Sequence, residues 1–164
     1  SRGDTRDIRL DPAQDDRGAV RPAFQLLTYP MLDDRTAARE EIAPYAHLVW
    51  NNASNRFGWE AYLNQASGAD SVPAGAVPAR RLDLAGLPPA WIGIGTQDLF
   101  YEEAAAYASR LNLTGVTCEL VSVAGAFHAF DLFAPQMPAV KEFRRSQVQA
   151  LKNALIDHPA RLNP

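Results

Sequence analysis

The stretch Ala90-Trp91-Ile92-Gly93-Ile94-Gly95-Thr96-Gln97-Asp98-Leu99-Phe100-Tyr101-Glu102-Glu103 changes character twice, and those changes decide the fold. Ala90 to Gly95 is apolar on both alternating sides, the pattern of a strand in the middle of a parallel sheet whose two faces are both covered. Thr96-Gln97-Asp98 breaks it with polar residues. From Glu102 to Leu113 the period becomes helical, with Ala104, Tyr107, Ala108 and Leu111 on one face and Gly115 where a left-handed cap ends a helix. Strand, loop and helix follow one another without a gap.

Working outward, Thr117 to Val123 reads as the next strand, and Pro138 opens a last helix in which Val140, Phe143, Val148, Leu151 and Leu155 line one side. Upstream, Phe24 to Tyr29 is a short apolar strand stopped by Pro30, and Met31 to Asp34 is an acidic turn. Thr36 is placed to cap a helix along which Ile42, Tyr45, Ala46 and Val49 recur, with Pro44 as a kink. Ser67 to Pro78 is a connecting loop. The order strand, helices, strand, helix, strand, helix predicts an α/β fold with about three parallel strands, right-handed crossovers and flanking helices. So thin a sheet leaves an edge bare, through which copies of the chain can pair as a homo-oligomer.

The chain has 164 residues, 47% hydrophobic and 21% charged, which suits one globular domain with its own core. Residues 1–21 carry alternating charges and read as a flexible arm; residues 22–164 read as the back part of a larger α/β domain. The single cysteine, Cys118, excludes an internal disulfide, and three histidines without metal-ligand spacing give no sign of a metal or other cofactor. A net charge of −3 offers no footprint for nucleic acid. No apolar run approaches the roughly 18 residues of a membrane span, and the absence of disulfides leans the expected location toward the cytoplasm.

In open parallel sheets, reactive groups gather in loops at the carboxyl ends of strands. Here Asp98 follows one strand, and Ala124-Gly125-Ala126-Phe127-His128 follows the next. If those strands are neighbours, Asp98 can meet His128, fix its tautomer and leave the second ring nitrogen free to accept a proton. Taken singly, Asp98 reads as a helix cap or a solvated loop residue, and His128 as a loop histidine that is structural as often as functional.

The surrounding residues resemble a known family. Gly95 to Glu103, Tyr107 to Leu111 and Gly125-Ala126-Phe127-His128-Ala129-Phe130 resemble the acid and histidine segments of hormone-sensitive-lipase-like esterases of the α/β-hydrolase superfamily. Phe24 to Thr36 resembles the strand before the acid strand, and Asn55 to Leu63 the aromatic segment after it. The resemblance implies a partial α/β-hydrolase fold, Asp98 as triad acid, His128 as general base, and a small carboxylic ester as substrate. Glu103 matches a second acidic position with a structural role. Leu99 stands where the family has Pro after the acid, and Ala129 where it has Gly after the histidine, which puts a methyl group where backbone freedom is wanted.

The nucleophile is missing from these residues. Such esterases place a serine on a G-x-S-x-G elbow and oxyanion donors on a His-Gly-Gly loop, both ahead of the acid and histidine. Ser54, Ser67, Ser71, Ser109, Ser122 and Ser146 all lack the glycine frame. Ser1-Arg2-Gly3 matches half an elbow but precedes a charged stretch where an apolar helix is needed. The expectation is therefore that the elbow lies upstream of this chain; the alternative is an inactive scaffold or oligomerising fragment. Cys118 lies in a strand and reads as buried packing, and Gly93-Ile94-Gly95 lacks the third glycine of a dinucleotide loop. His47 and His158 read as spectators. Trp50, Trp59, Trp91, Phe127, Phe130 and Phe133 read as core and pocket wall, with Phe127 or Phe130 available to an acyl chain.

Overall fold

Every residue of Ala90–Gly95 is buried, and this strand lies at the middle of the sheet. The computed structural model describes residues 22–42 and 47–156. In chain order its elements are β1 (Gln25–Thr28), α1 (Arg35–Ala38), α2 (Asn52–Leu63), a single 3-10 turn at Pro78–Arg80, β2 (Ala90–Gly95), α3 (Tyr101–Leu113), β3 (Cys118–Val123), α4 (Phe130–Phe133) and α5 (Pro138–Ile156). Both β1 and β3 pair with β2 in parallel, Leu27 opposite Ile92 and Ile92 opposite Leu120. This is the partial α/β fold of three parallel strands with flanking helices that the alternation predicts.

Side chains alternate across a strand, so β2 feeds two cores. Ile92 and Ile94 pack with Leu84, Phe100, Ala104, Tyr107 and Leu111, most of them on α3. Trp91 points the other way, onto Phe130 of α4 and Val140 and Phe143 of α5, and its indole donates to Ser146 Oγ at 3.0 Å. Each such fully buried side chain contributes about 2 kcal/mol by leaving water. Gly93 makes room for this layer, since a Cβ there would stand 2.1 Å from the Trp91 ring and 2.6 Å from that of Phe143. The glycines of Gly93-Ile94-Gly95 thus serve packing.

The end of α3 has the expected left-handed stop. Gly115 has φ +81°, Val116 N–H reaches Leu111 O at 3.0 Å and Gly115 N–H reaches Asn112 O at 3.1 Å, the paired bonds of a Schellman motif. Asn112 then lies against edge strand β3, its amide donating to Cys118 O at 3.0 Å and accepting from Cys118 N–H at 2.9 Å. Cys118 itself is buried and its thiol is pushed up to about 11 by burial, which leaves it unreactive as a nucleophile.

Two expectations are corrected. The helix predicted from Thr36 through Val49 is only the single turn α1, with Asp34 at its cap; residues 43–46 lie outside the described set, and Val49 has φ +67°, which no helix contains. Arg39 ends the turn in extended geometry, at ψ +112°. The longer helix begins instead at Asn51, whose side chain accepts from Ser54 N–H at 3.0 Å, and ends at left-handed Asn64. On α5, Val140 and Phe143 are buried, but Val148, Leu151 and Leu155 are 51%, 38% and 46% exposed. An α-helix of 19 residues extends about 28 Å, beyond the roughly 20 Å of a six-residue strand, so its last turns outrun the sheet.

Candidate active site

Two loops leave the carboxyl ends of β2 and β3 side by side, and backbone bonds stitch them together. Thr96 N–H donates to Val123 O at 3.0 Å, Gln97 N–H to Ala126 O at 2.9 Å, and Gly125 N–H to Thr96 Oγ1 at 2.9 Å. Gly95 permits the approach, because a Cβ there would stand 2.2 Å from Ala126 O. The register of β2 and β3 therefore brings Asp98 to His128, with Nδ1 of the imidazole 2.9 Å from Asp98 Oδ2.

The Asp98 side chain is wholly buried, and that of His128 is 16% exposed. Asp98 Oδ1 accepts from Phe100 N–H at 3.0 Å, while the Asp98 carbonyl accepts from Tyr101 N–H. Asp98 thus braces the loop that leads into α3 with one oxygen and meets the histidine with the other; it is not the helix cap, since the N-cap position is Phe100 and no side chain caps it. Leu99, in place of the family's proline, is 6% exposed and fills the core beneath the loop.

Three aromatic rings enclose the imidazole, with centroids at 5.2 Å for Tyr29, 5.8 Å for Phe100 and 5.9 Å for Trp50. Among the described residues Nε2 has no hydrogen-bond partner. After His128 the chain turns through Ala129 at φ +57° and ψ +25°, the left-handed region that the methyl group disfavours. Tyr29 O–H donates to Asp131 Oδ1 at 2.8 Å, and burial together with Asp131 holds that phenol above the ordinary tyrosine range, so it remains a neutral donor.

Glu103, on the first turn of α3, is 8% exposed and serves the neighbouring loop. Its Oε1 accepts from Leu32 N–H at 2.7 Å and Asp33 N–H at 3.2 Å, and its Oε2 accepts from the Thr36 hydroxyl. Burial pushes its carboxyl up to about 7 against the pull of those donors. Behind the Asp98 loop, a cavity of about 230 Å³ is lined by residues including Arg39, His47, Gln97 and Tyr101. Nδ1 of His47 is buried there without a partner among the described residues.

The remaining candidates are not gathered at the imidazole. Ser122 is exposed on β3, Ser109 is exposed on α3, and the Ser146 hydroxyl is occupied by Trp91. No serine hydroxyl bonds to His128 among the described residues. Ser1, the charged arm and His158 lie outside them. Phe130 is 5% exposed and packs against Phe143 in the core. Tyr29 had no distinguishing signal in the sequence beyond closing an apolar strand, and only pairing with β2 brings it to the histidine.

Residues 11–132 match the alpha/beta hydrolase fold family. The chain belongs to that family. Carboxylesterase NlhH of Mycobacterium tuberculosis is 32% identical over 142 residues, covering 85% of this hydrolase-fold chain and 44% of the relative. Esterase LipW from Mycobacterium marinum is 34% identical with a TM-score of 0.76, covering 90% of this chain and 46% of that one. A bacterial heroin esterase is 30% identical, also at 0.76, with 88% and 46% covered. The hydrolase-fold chain spans about half the length of the relatives it matches. The resemblance to esterase-like hydrolases read from the residues holds. No helix among the described residues is long and apolar enough to cross a membrane.

Proposed function

We propose that this chain supplies the acid, Asp98, and the general base, His128, of a serine carboxylic ester hydrolase whose serine and oxyanion donors come from sequence outside these 164 residues. The observation that carries the reading is the 2.9 Å contact between a fully buried Asp98 carboxylate and His128 Nδ1 at the carboxyl ends of adjacent parallel strands. That contact leaves Nε2 as the acceptor. It takes the proton of the serine hydroxyl as the oxygen attacks the ester carbonyl, and returns it to the departing alcohol when the tetrahedral intermediate collapses. A water molecule then repeats the sequence on the acyl-enzyme, with Asp98 stabilising the imidazolium both times. The relatives' names, carboxylesterase and esterase, support a small carboxylic ester as substrate.

Without an activated hydroxyl and oxyanion donors, the 164-residue chain alone is expected to give little hydrolysis of a short-chain aryl ester. The test extends the coding sequence upstream to a His-Gly-Gly loop and a G-x-S-x-G elbow and measures turnover with and without His128→Ala. Turnover lost by several orders of magnitude in the variant supports the reading; near-normal turnover in His128→Ala overturns it.

A second reading, an inactive scaffold, is favoured by the absence of a G-x-S-x-G frame around any serine of the chain. In it the outer edge of β1, which pairs with no strand among the described residues, joins a second copy. Robust ester hydrolysis by the 164-residue chain, abolished by His128→Ala, excludes the scaffold, while a constant monomer mass in light scattering over a range of concentrations excludes the pairing.

A further inference from the structure

We propose that Tyr29 is a positioning residue for His128: its ring is the wall that fixes the imidazole plane, and Asp131 with Arg144 anchors the phenol that holds the wall in place. The inference rests on the acid and base reading of Asp98 and His128 and adds a third point of support to it.

The geometry is continuous across three elements. Tyr29 stands just past the end of β1, its ring centroid 5.2 Å from the imidazole and inclined to it by 52°. Its hydroxyl donates to Asp131 Oδ1 at 2.8 Å. Asp131 belongs to α4, on the segment that carries His128, and its Oδ2 is met by Arg144 Nε at 3.2 Å from α5. Arg144 also donates to the Asp131 carbonyl at 2.8 Å. The end of β1, the histidine loop and α5 are thereby tied at one place, beside the reacting ring.

Two features separate this from ordinary packing. The neighbouring core rings, Phe130 and Phe143, fill space without a polar tether, whereas Tyr29 keeps one. Tyr29 also holds φ +52°, uncommon for a bulky residue, and two of the three other non-glycine residues at positive φ are Val49, beside Trp50, and Ala129, beside His128. Strain of this kind persists where the surroundings over-determine it and gathers at functional sites. The consequence falls on the orientation of the imidazole ring, whose Nδ1 lies 2.9 Å from Asp98 Oδ2. The charged groups around that ring are Asp98, directly bonded to it, and Asp131 behind Tyr29, itself paired with Arg144.

The test uses nuclear magnetic resonance on the 164-residue chain, following the far-downfield Nδ1 proton of His128, assigned by its loss in His128→Gln. Tyr29→Phe keeps the ring and removes the tether; exchange of that proton with water is expected to accelerate about tenfold, the scale of one hydrogen bond to a charged acceptor. Asp131→Ala should reproduce the effect without touching Tyr29. Tyr29→Leu removes the wall as well and should accelerate that exchange further than Tyr29→Phe does. Unchanged exchange in Tyr29→Phe overturns the inference, and this variant decides if the leucine variant fails to fold. Absence of the proton signal from the unsubstituted chain overturns the Asp98 and His128 reading as well, so the two failures are distinct.

Discussion

Asp98 and Glu103 leave the same strand-to-helix junction, are both buried, and are both fully hydrogen-bonded, yet they face different neighbours. Asp98 offers one oxygen to the Phe100 amide and the other to an imidazole. Glu103 offers its oxygens to two amides and a hydroxyl, none of which changes protonation at ordinary pH. A buried, satisfied carboxylate is therefore not by itself a sign of chemistry. What separates the two is that the partner of Asp98 can gain a proton at its far nitrogen, and the side chain of that partner is 16% exposed, whereas the partners of Glu103 are fixed donors that close a loop.

The largest expected effect tests the Asp98 half. In the extended protein, Asp98→Asn retains the shape of the loop but no longer selects the tautomer that leaves Nε2 free, and kcat should fall about 10⁴-fold. Steady-state turnover of a short aryl ester measures this. A loss below tenfold would make Asp98 a turn-forming residue like its neighbour and erase the distinction.

Glu103 should show the reverse, a large effect on stability with a smaller one on turnover. Glu103→Ala strands the Leu32 and Asp33 amides and the Thr36 hydroxyl, at a cost of about 3 kcal/mol, and should lower Tm by about 9 °C in thermal unfolding. Glu103→Gln separates charge from contact. The carboxyl is raised from 4.5 to about 7 in the fold, so the fold binds a proton that the unfolded chain releases. The resulting stabilisation is fully present below pH 4.5 and is lost as pH rises through about 7. Denaturant unfolding of the unsubstituted chain should therefore weaken across that window, and the glutamine variant should flatten the curve. A slope of the same size in Glu103→Gln would assign the titration to another group.

Much of this was legible in the sequence because it rests on local patterns. The continuous apolar run of β2, the helical period of α3 and the glycine at 115 need no distant partner to be read, and the alternation of strand and helix dictates that Asp98 and His128 emerge at one sheet edge. The failures share a cause. The reading of residues 36–49 as one helix followed apolar spacing through a proline, and α2 was hidden because only Trp59 and Leu63 of its apolar residues are both large and buried. The stripe on α5 has the right period, but burial depends on the length of the sheet beneath it. Tyr29 is the clearest case: its role beside His128 follows from pairing between β1 and β2, a long-range fact with no local sign.

The smallest expected effect lies on the histidine side of the comparison. Ala129 holds φ +57° directly after His128, a conformation that costs a residue with a Cβ roughly 1 to 2 kcal/mol. Glycine removes that cost but gives the unfolded chain more freedom, worth roughly 0.5 to 1 kcal/mol in the opposite direction. Ala129→Gly should therefore stabilise the fold by about 0.5 kcal/mol, raising Tm by about 1 to 2 °C. The control is Ala134→Gly, close by in the chain at φ −130°, where no left-handed strain is relieved and both the entropy and the lost packing of the methyl on the Phe130 and Phe143 core act against glycine; there stability should fall. Opposite signs at these two positions would show that the turn behind His128 is held under strain by the loop contacts that position the ring. Equal losses at both would mean that the turn is relaxed, and that the strain beside the site resides at Tyr29 and Val49 alone.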